Sequence, residues 1–223
     1  MEDAKAVAEL GADAVGFVFA DSPRRLTPER AAAIASKLPP FIVKVGVFAG
    51  ASSREAAAVA DACGLDAIQI YLDDPSERGI VPIAAKFRVI RAVRIGSHED
   101  AQKAARLEAD AVLLDSKAES ALGGSGVSFD WSALAGLSFD SPVILAGGLN
   151  PDNVAEAVRI VRPYSVDVSS GVESSPGKKD PGKIKAFIEA VRLADAGEAE
   201  PSGIRGPLAE GSYESEPEDW PKG

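Results

Sequence analysis

Short apolar runs alternate with longer amphipathic stretches along residues 1–194. Seven runs rich in Val, Ile and Leu predict strands at 13–19, 42–48, 66–71, 88–94, 110–115, 142–146 and 165–169. Such runs are typical of strands that are covered on both faces. The predicted strands start 22 to 32 residues apart. Strands that alternate with helices at this interval form a parallel sheet with right-handed crossovers.

The stretches between the strands carry helix signals. Thr27 is a predicted N-cap with Pro28 at the first helical position, and Asn150 with Pro151 repeats the pattern. Apolar residues then recur at i, i+3, i+4 and i+7, the spacing of a helix that buries one stripe. One more helix precedes the first predicted strand, so the pattern gives seven strands and eight helices.

This alternation fits either a doubly wound open sheet or a (β/α)8 TIM barrel. The open sheet is disfavoured because no G-x-G-x-x-G follows an early strand. Seven strands would leave a barrel with unpaired edges, which is energetically costly. We therefore predict an α/β barrel domain over 1–194 that is N-terminally incomplete, with its first strand missing from this chain.

Composition narrows the class of protein. The chain has 223 residues, a net charge of −10 and a pI of about 4.7, which argues against a nucleic-acid partner. No apolar run is long enough to cross a bilayer, and the acidic start lacks the features of a signal peptide. The single cysteine excludes a disulfide framework. These features predict a cytoplasmic protein.

Residues 195–223 differ from the rest of the chain. They hold eight acidic and two basic residues, for a net charge of −6, and show no apolar period. We expect an acidic, disordered tail, either a solvating extension or a segment that contacts a partner.

The last two predicted strands both end in small residues. Gly147-Gly148 follows the sixth strand, Ser169-Ser170 follows the seventh, and a helix-like stretch comes after each. Small residues let backbone N–H groups approach an anion closely, and a helix N-terminus favours negative charge. A tight turn and a helix cap are the simpler interpretations. Both features on the last two strands favour a phosphate site, as in parallel barrels.

Two charged residues follow other strands. Asp115 ends the apolar run 110–115 and is a candidate general acid, since apolar surroundings raise a carboxyl pKa; a solvated loop position or helix cap is an equal alternative. Arg24 is a candidate clamp for a carboxylate, although its spacing alone fits a surface arginine.

Cys63 ends a helix away from the expected site and is interpreted as a buried structural residue. No cluster of metal ligands occurs, so no metal is expected.

At these residues the sequence resembles the phosphoribosylanthranilate isomerase family over 1–194. The most specific similarities are Gly123-Gly-Ser-Gly126 with Phe129-Asp-Trp131, Gly147-Gly-Leu-Asn-Pro151, and Asp167-Val-Ser-Ser-Gly-Val-Glu173 continuing to Asp180. Further similarities are Gly11-Ala-Asp-Ala-Val-Gly-Phe-Val-Phe19, Ser22-Pro-Arg24, Val45-Gly-Val-Phe48 and Leu113-Leu-Asp115.

The resemblance implies a cofactor-free TIM-barrel enzyme of tryptophan biosynthesis. It would convert N-(5-phospho-β-D-ribosyl)anthranilate to 1-(2-carboxyphenylamino)-1-deoxy-D-ribulose 5-phosphate by an Amadori rearrangement. Asp115 would be the general acid, Arg24 would bind the anthranilate carboxylate, and Gly147, Gly148, Ser169 and Ser170 would hold the phosphate. The partner is thus a small phosphosugar, with neither nucleic acid nor membrane, and the protein is a monomer or homodimer.

The sequence departs from the family in two ways. The family's general base is a cysteine in a Lys-Ile-Cys-Gly-Ile/Leu-Thr strand that would precede Met1, so the general base is absent from this chain, and Cys63 does not take its position. The family's Gln-Leu-His-Gly is Gln69-Ile-Tyr71-Leu72 here. Three functions therefore remain open: an isomerase, an inactive remnant that binds phosphosugars or a protein partner, and another barrel enzyme with a phosphorylated substrate.

Overall fold

Seven parallel strands form one sheet in chain order. The computed structural model describes residues 2–71, 86–116, 131–134 and 136–197. The strands are β1 Ala14–Val18, β2 Val43–Ala49, β3 Ala67–Tyr71, β4 Arg88–Ile95, β5 Ala111–Ser116, β6 Val143–Ala146 and β7 Ser165–Val166. Each strand pairs with the next, and among the described residues β1 and β7 are the two edges of the sheet. The predicted α/β class with seven barrel strands is confirmed.

Six α-helices occur in the part of the chain that the structure describes. They are α1 Glu2–Glu9, α2 Pro28–Ala35, α3 Ser53–Cys63, α4 His98–Ala104, α5 Val154–Val161 and α6 Pro181–Ala196. Short 3-10 turns lie at Trp131–Leu134 and Ser170–Val172, and an antiparallel pair, β8 Glu173–Ser175 with β9 Lys178–Lys179, precedes α6. The helix predicted directly after β3 falls on 72–85, and the glycine-rich loop after β5 falls on 117–130. Both lie outside the described residues.

The two predicted helix starts had different outcomes. The Thr27 side chain accepts a hydrogen bond from the Arg30 N–H, with Pro28 at the first position, so the start of α2 is confirmed. The start predicted at Asn150 is wrong by three residues, because α5 begins only at Val154. The Asn153 side chain accepts from the Asn150 N–H and the Asn150 side chain accepts from the Asp152 N–H, which holds a turn ahead of the helix. The predicted apolar stripe of α5 is nevertheless buried.

The sheet has a helix-covered outer face and a sparsely filled inner face. Two outer clusters pack the strands against the helices, one on β1–β4 around Phe17, Ile68 and Ile70, and one on β4–β7 around Leu114 and Leu145. The inner face holds a small cluster of Ala92, Leu113 and Ala146 with Tyr71, Ile90 and Ile144 beside it. Alternation along the strands thus separates a large apolar core from an inner face that is free to carry polar groups.

The last described helix runs past the predicted domain boundary at 194, and that boundary stays a prediction. Helix α6 continues to Ala196, and Ala194 is buried. The acidic residues 198–223 lie outside the described residues. Across the ranges given above, none of the helices has the length and apolar character needed to cross a membrane.

Candidate active site

A row of polar side chains crosses the inner face at the carboxyl ends of the strands. Strand register places Arg94 of β4 beside Asp115 of β5, and Asp115 beside Ala146 of β6. Asp167 follows Val166, which pairs with Leu145, so it continues the row beyond Ala146. Adjacent parallel strands lie about 4.8 Å apart, which puts the two aspartates about 10 Å apart at their Cα atoms. The carboxyl ends of barrel strands are where active sites are built.

Asp115 is held by two neighbours. The Tyr71 hydroxyl donates a 3.0 Å hydrogen bond to Asp115 Oδ2, and the Arg94 guanidinium lies 5.4 Å from the Tyr71 ring centroid. Burial raises the pKa of Asp115, while the Tyr71 hydrogen bond and the Arg94 charge oppose that rise. A carboxyl with a raised pKa retains its proton closer to neutral pH, as a general acid requires.

Asp167 is the second acid of this row. Burial by surrounding protein atoms and the charge of Asp115 raise its pKa, while Lys179 opposes the rise. Its surface is nevertheless exposed to solvent, so the pKa rises by less than full burial would produce. The charges of the two carboxyls repel each other, which disfavours the state in which both are ionised.

The two predicted phosphate turns lie in loops that contact each other just after the turns, at Leu149 and Gly171. Gly147 and Gly148 both have positive φ, 84° and 64°, which turns the chain sharply after β6. In the loop after β7, a Cβ on Gly171 would lie 1.9 Å from the carbonyl oxygen of Leu149. Only glycine allows this approach, which brings Ser169-Ser170 beside the β6 turn. The structure therefore joins the two turns into one small-residue surface.

Arg24 is paired with an acid of the chain itself. Its Nε and Nη2 donate to the two carboxylate oxygens of Glu173, each over 2.7 Å. The Lys179 ammonium donates to Glu173 Oε1 at 3.2 Å and to the Ser169 carbonyl at 2.8 Å. The Glu173 side chain is only 4% exposed. The Arg24 hydrogen bonds, assisted by Lys179, lower the pKa of Glu173 to about 2.

The single cysteine and histidine of the sequence lie away from this row. The Cys63 thiol is buried in the outer cluster of β1–β4 and donates to the Pro28 carbonyl over 3.3 Å. Burial raises the pKa of Cys63, which makes it a poor nucleophile. His98 begins α4 and contacts the Ala133 carbonyl at 2.8 Å. Within the described residues no three His, Cys, Asp or Glu side chains are grouped to hold a metal ion.

Sequence reasoning selected Asp115, Arg24 and the two turns, and it missed three residues around them. Glu173, Asp167 and Lys179 lie in the stretch that follows the seventh predicted strand. The signal available was an acid directly after an apolar residue at a strand end, since Asp167 lies between Val166 and Val168. The pairing of Glu173 with Arg24 joins residues 149 positions apart, which no local pattern reveals.

Fold and site together define a parallel β/α-barrel protein with an acid row beside a small-residue turn pair. The family model described as N-(5'phosphoribosyl)anthranilate (PRA) isomerase matches residues 1–190. This chain therefore belongs to the phosphoribosylanthranilate isomerase family.

Individual relatives agree with this assignment. An N-(5'-phosphoribosyl)anthranilate isomerase of Magnetococcus marinus is 46% identical over 198 residues, covering 88% of this chain and 93% of the relative. The crystal structure of phosphoribosyl anthranilate isomerase from Thermotoga maritima has a TM-score of 0.78 at 43% identity, over 86% of this chain and 94% of that one. A further isomerase structure, in complex with reduced 1-(o-carboxyphenylamino)-1-deoxyribulose 5-phosphate, has a TM-score of 0.73 at 40% identity and covers 86% and 93% of the two chains.

Proposed function

We propose that this chain performs the reaction of its family, the Amadori rearrangement of N-(5-phospho-β-D-ribosyl)anthranilate in tryptophan biosynthesis. The observation that carries the proposal is the position of Asp115. It lies on the inner face at the carboxyl end of β5, with a raised pKa, in line with the turn after β6.

Asp115 is proposed as the general acid. It donates its proton to the furanose ring oxygen, the bond from that oxygen to C1′ breaks, and a protonated Schiff base forms. A base then removes the proton at C2′, which gives an enolamine that becomes the ketone product. Neither step needs an oxidant or a cofactor, because the electrons removed at C2′ end at C1′.

Arg24 and the two turns are proposed to hold the ends of the substrate. The two bonds to Glu173 use Nε and Nη2 of Arg24. A guanidinium has five N–H donors, so Nη1 and the second Nη2 hydrogen are chemically suited to the anthranilate carboxylate. Gly147, Gly148, Ser169 and Ser170 are proposed to bind the phosphate through their N–H groups.

The general base is proposed to come from a strand between β7 and β1. These two strands are the edges of the described sheet, and a strand inserted there would face Asp115 across the inner face. In the family pattern that strand reads Lys-Ile-Cys-Gly-Ile/Leu-Thr, and its thiolate would take the C2′ proton.

Turnover of three proteins tests this assignment. They are the 223-residue chain, the chain with a Lys-Ile-Cys-Gly-Ile-Thr strand placed before residue 1, and the same extension with serine in place of cysteine. Product formation is followed chromatographically, and product affinity is measured by calorimetry. We expect tight product binding in all three and strong turnover only with the thiol.

Other outcomes distinguish the alternatives. Product binding in all three forms with no turnover even in the cysteine-extended form would favour the inactive phosphosugar-binding remnant. Equal turnover with cysteine and with serine would remove the thiol from the role of base. The absence of product binding in every form would contradict the assignment to this substrate.

The cellular compartment and the oligomeric state stay predictions. The cytoplasm is expected because the single cysteine offers no disulfide framework. A monomer or a homodimer is expected in solution, which light scattering measures.

A further inference from the structure

Tyr71 lies on the inner face and makes a direct hydrogen bond to the proposed acid. It ends β3, two strands away from Asp115, and its side chain is half-buried. Its hydroxyl reaches Asp115 Oδ2 over 3.0 Å, across the row in which Ala92 leaves room between the two strands. The contact therefore depends on a large residue in β3 and a small one in β4.

The tyrosine ring is also fixed from one face. The Arg94 guanidinium lies 5.4 Å from the ring centroid, within the range of a cation–π contact, and Arg94 neighbours Asp115 in the register of β4 and β5. A ring held by a cation at its face and by a carboxylate at its hydroxyl has little rotational freedom. Arg94, Tyr71 and Asp115 thus form one connected group.

The direction of the hydrogen bond follows from the chemistry of the two partners. Burial and the charges of Asp115 and Asp167 raise the pKa of Tyr71, so its hydroxyl keeps its hydrogen and acts as the donor. With Oδ2 of Asp115 accepting that hydrogen, the transferable proton of the carboxyl resides on Oδ1. When Asp115 gives up this proton, the Tyr71 hydrogen bond becomes charge-assisted and strengthens.

We infer that Tyr71 is a positioning residue for Asp115, which directs the acid's proton to Oδ1 and stabilises the carboxylate left after proton transfer. This inference rests on the proposed function of Asp115. An interaction that strengthens as the proton leaves lowers the barrier of the protonation step and does not merely tighten substrate binding. The effect of losing it should therefore fall on kcat and leave KM nearly unchanged.

The charged and titratable groups facing Asp115 come from three strands. Arg94 of β4 favours the carboxylate and Tyr71 of β3 donates to it, while Asp167 beyond β7 disfavours a second negative charge. Lys179 acts on Asp167 and on Glu173. Removing the Tyr71 hydroxyl withdraws one of the two groups that stabilise the carboxylate, so the pKa of Asp115 should rise.

A titration of the 223-residue chain by carboxyl ¹³C NMR tests this without any turnover. The Asp115 signal is assigned by its loss in Asp115→Asn and is then followed with pH in the wild type and in Tyr71→Phe. We expect the Asp115 midpoint to move up by about one pH unit in Tyr71→Phe. Tyr164→Phe removes a hydroxyl from a side chain that is 70% exposed, and it should leave the midpoint unchanged.

Turnover of the cysteine-extended chain gives the second measurement. Tyr71→Phe should lower kcat about 10- to 100-fold with KM within about twofold, and the alkaline limb of the pH profile should move upward. Tyr71→His returns an N–H donor and should recover most of the loss. An unmoved Asp115 midpoint in folded Tyr71→Phe, or an equal shift in Tyr164→Phe, would overturn the inference. A moved midpoint in a protein that never turns over would sustain the contact and count against the isomerase.

Discussion

The two faces of strand β5 show how one short run of sequence serves two purposes. Val112 and Leu114 point into the outer cluster and are almost fully buried, whereas Leu113 and Asp115 belong to the inner face. The outer face packs against apolar side chains of the helices, many of them alanines. The inner face combines a small apolar cluster with the charged side chains of Arg94 and Asp115. Stability is thus concentrated on one side of the sheet and the proposed chemistry on the other.

The largest expected effect comes from the inner face. Asp115→Asn should lower turnover of the cysteine-extended chain about 10³-fold, or about 4 kcal/mol, because the amide cannot donate an acid proton to the ring oxygen. The free energy of unfolding should hardly change, since asparagine still accepts from Tyr71 and its neutrality removes repulsion with Asp167. Urea unfolding and steady-state kinetics check both parts. A stable variant with normal kcat would exclude Asp115 as the acid.

An effect of comparable size, but on stability and not on turnover, is expected on the outer face. Leu145→Ala removes a fully buried side chain of the cluster on β4–β7 and should lower the free energy of unfolding by about 2–5 kcal/mol. Product affinity per folded molecule should stay within about twofold, since Leu145 faces away from the row. Product affinity, measured by calorimetry at a temperature below the midpoint of thermal unfolding, tests this separation. Weak binding by the folded variant would show that the two faces are coupled.

The smallest effect concerns the ion pairs at the edge of the site. The lowered pKa of Glu173, about 2, means that Glu173 stabilises the fold above its unfolded pKa of about 4.5 and that this contribution is lost as the pH falls towards 2. Glu173→Gln should therefore cost about 2–3 kcal/mol at pH 7 and little at pH 2. Urea unfolding at several pH values measures the difference.

A surface glutamate supplies the matched control for this variant. Glu189 pairs with Lys185 at 3.7 Å on α6, with both side chains more than half exposed. Glu189→Gln should change stability by less than about 0.5 kcal/mol at any pH. Equal pH profiles for the two variants would contradict the assigned role of Glu173.

Local patterns predicted the outer face well. Six of the seven strands begin within one residue of the predicted position and extend over the predicted run, because burial between helices requires continuous apolar residues. The exception is β7, predicted over 165–169, which pairs only at Ser165–Val166. Its continuation is diverted into the Ser170–Val172 turn, where Gly171 packs on Leu149.

The inner face was less accessible to the same reasoning. Asp115 could be found because it ends an apolar strand. The pairing of Arg24 with Glu173 joins parts of the chain 149 positions apart, and the contact of Tyr71 with Asp115 depends on strand register. Register is fixed only when the whole sheet is assembled. The helix start at Asn150-Pro151 was misplaced for a local reason, because the Asn153 side chain accepts a hydrogen bond from the Asn150 N–H and holds a turn ahead of the helix.

The contacts between the first and last parts of the chain have a consequence for the order of folding. Arg24 meets Glu173 across 149 residues, and the Lys179 N–H donates to the Asp3 carboxylate across 176. Closing loops of this length is entropically slow compared with adding one strand to its predecessor. These two contacts should therefore form after the transition state for folding. Weakening them should hasten unfolding while leaving the refolding rate almost untouched.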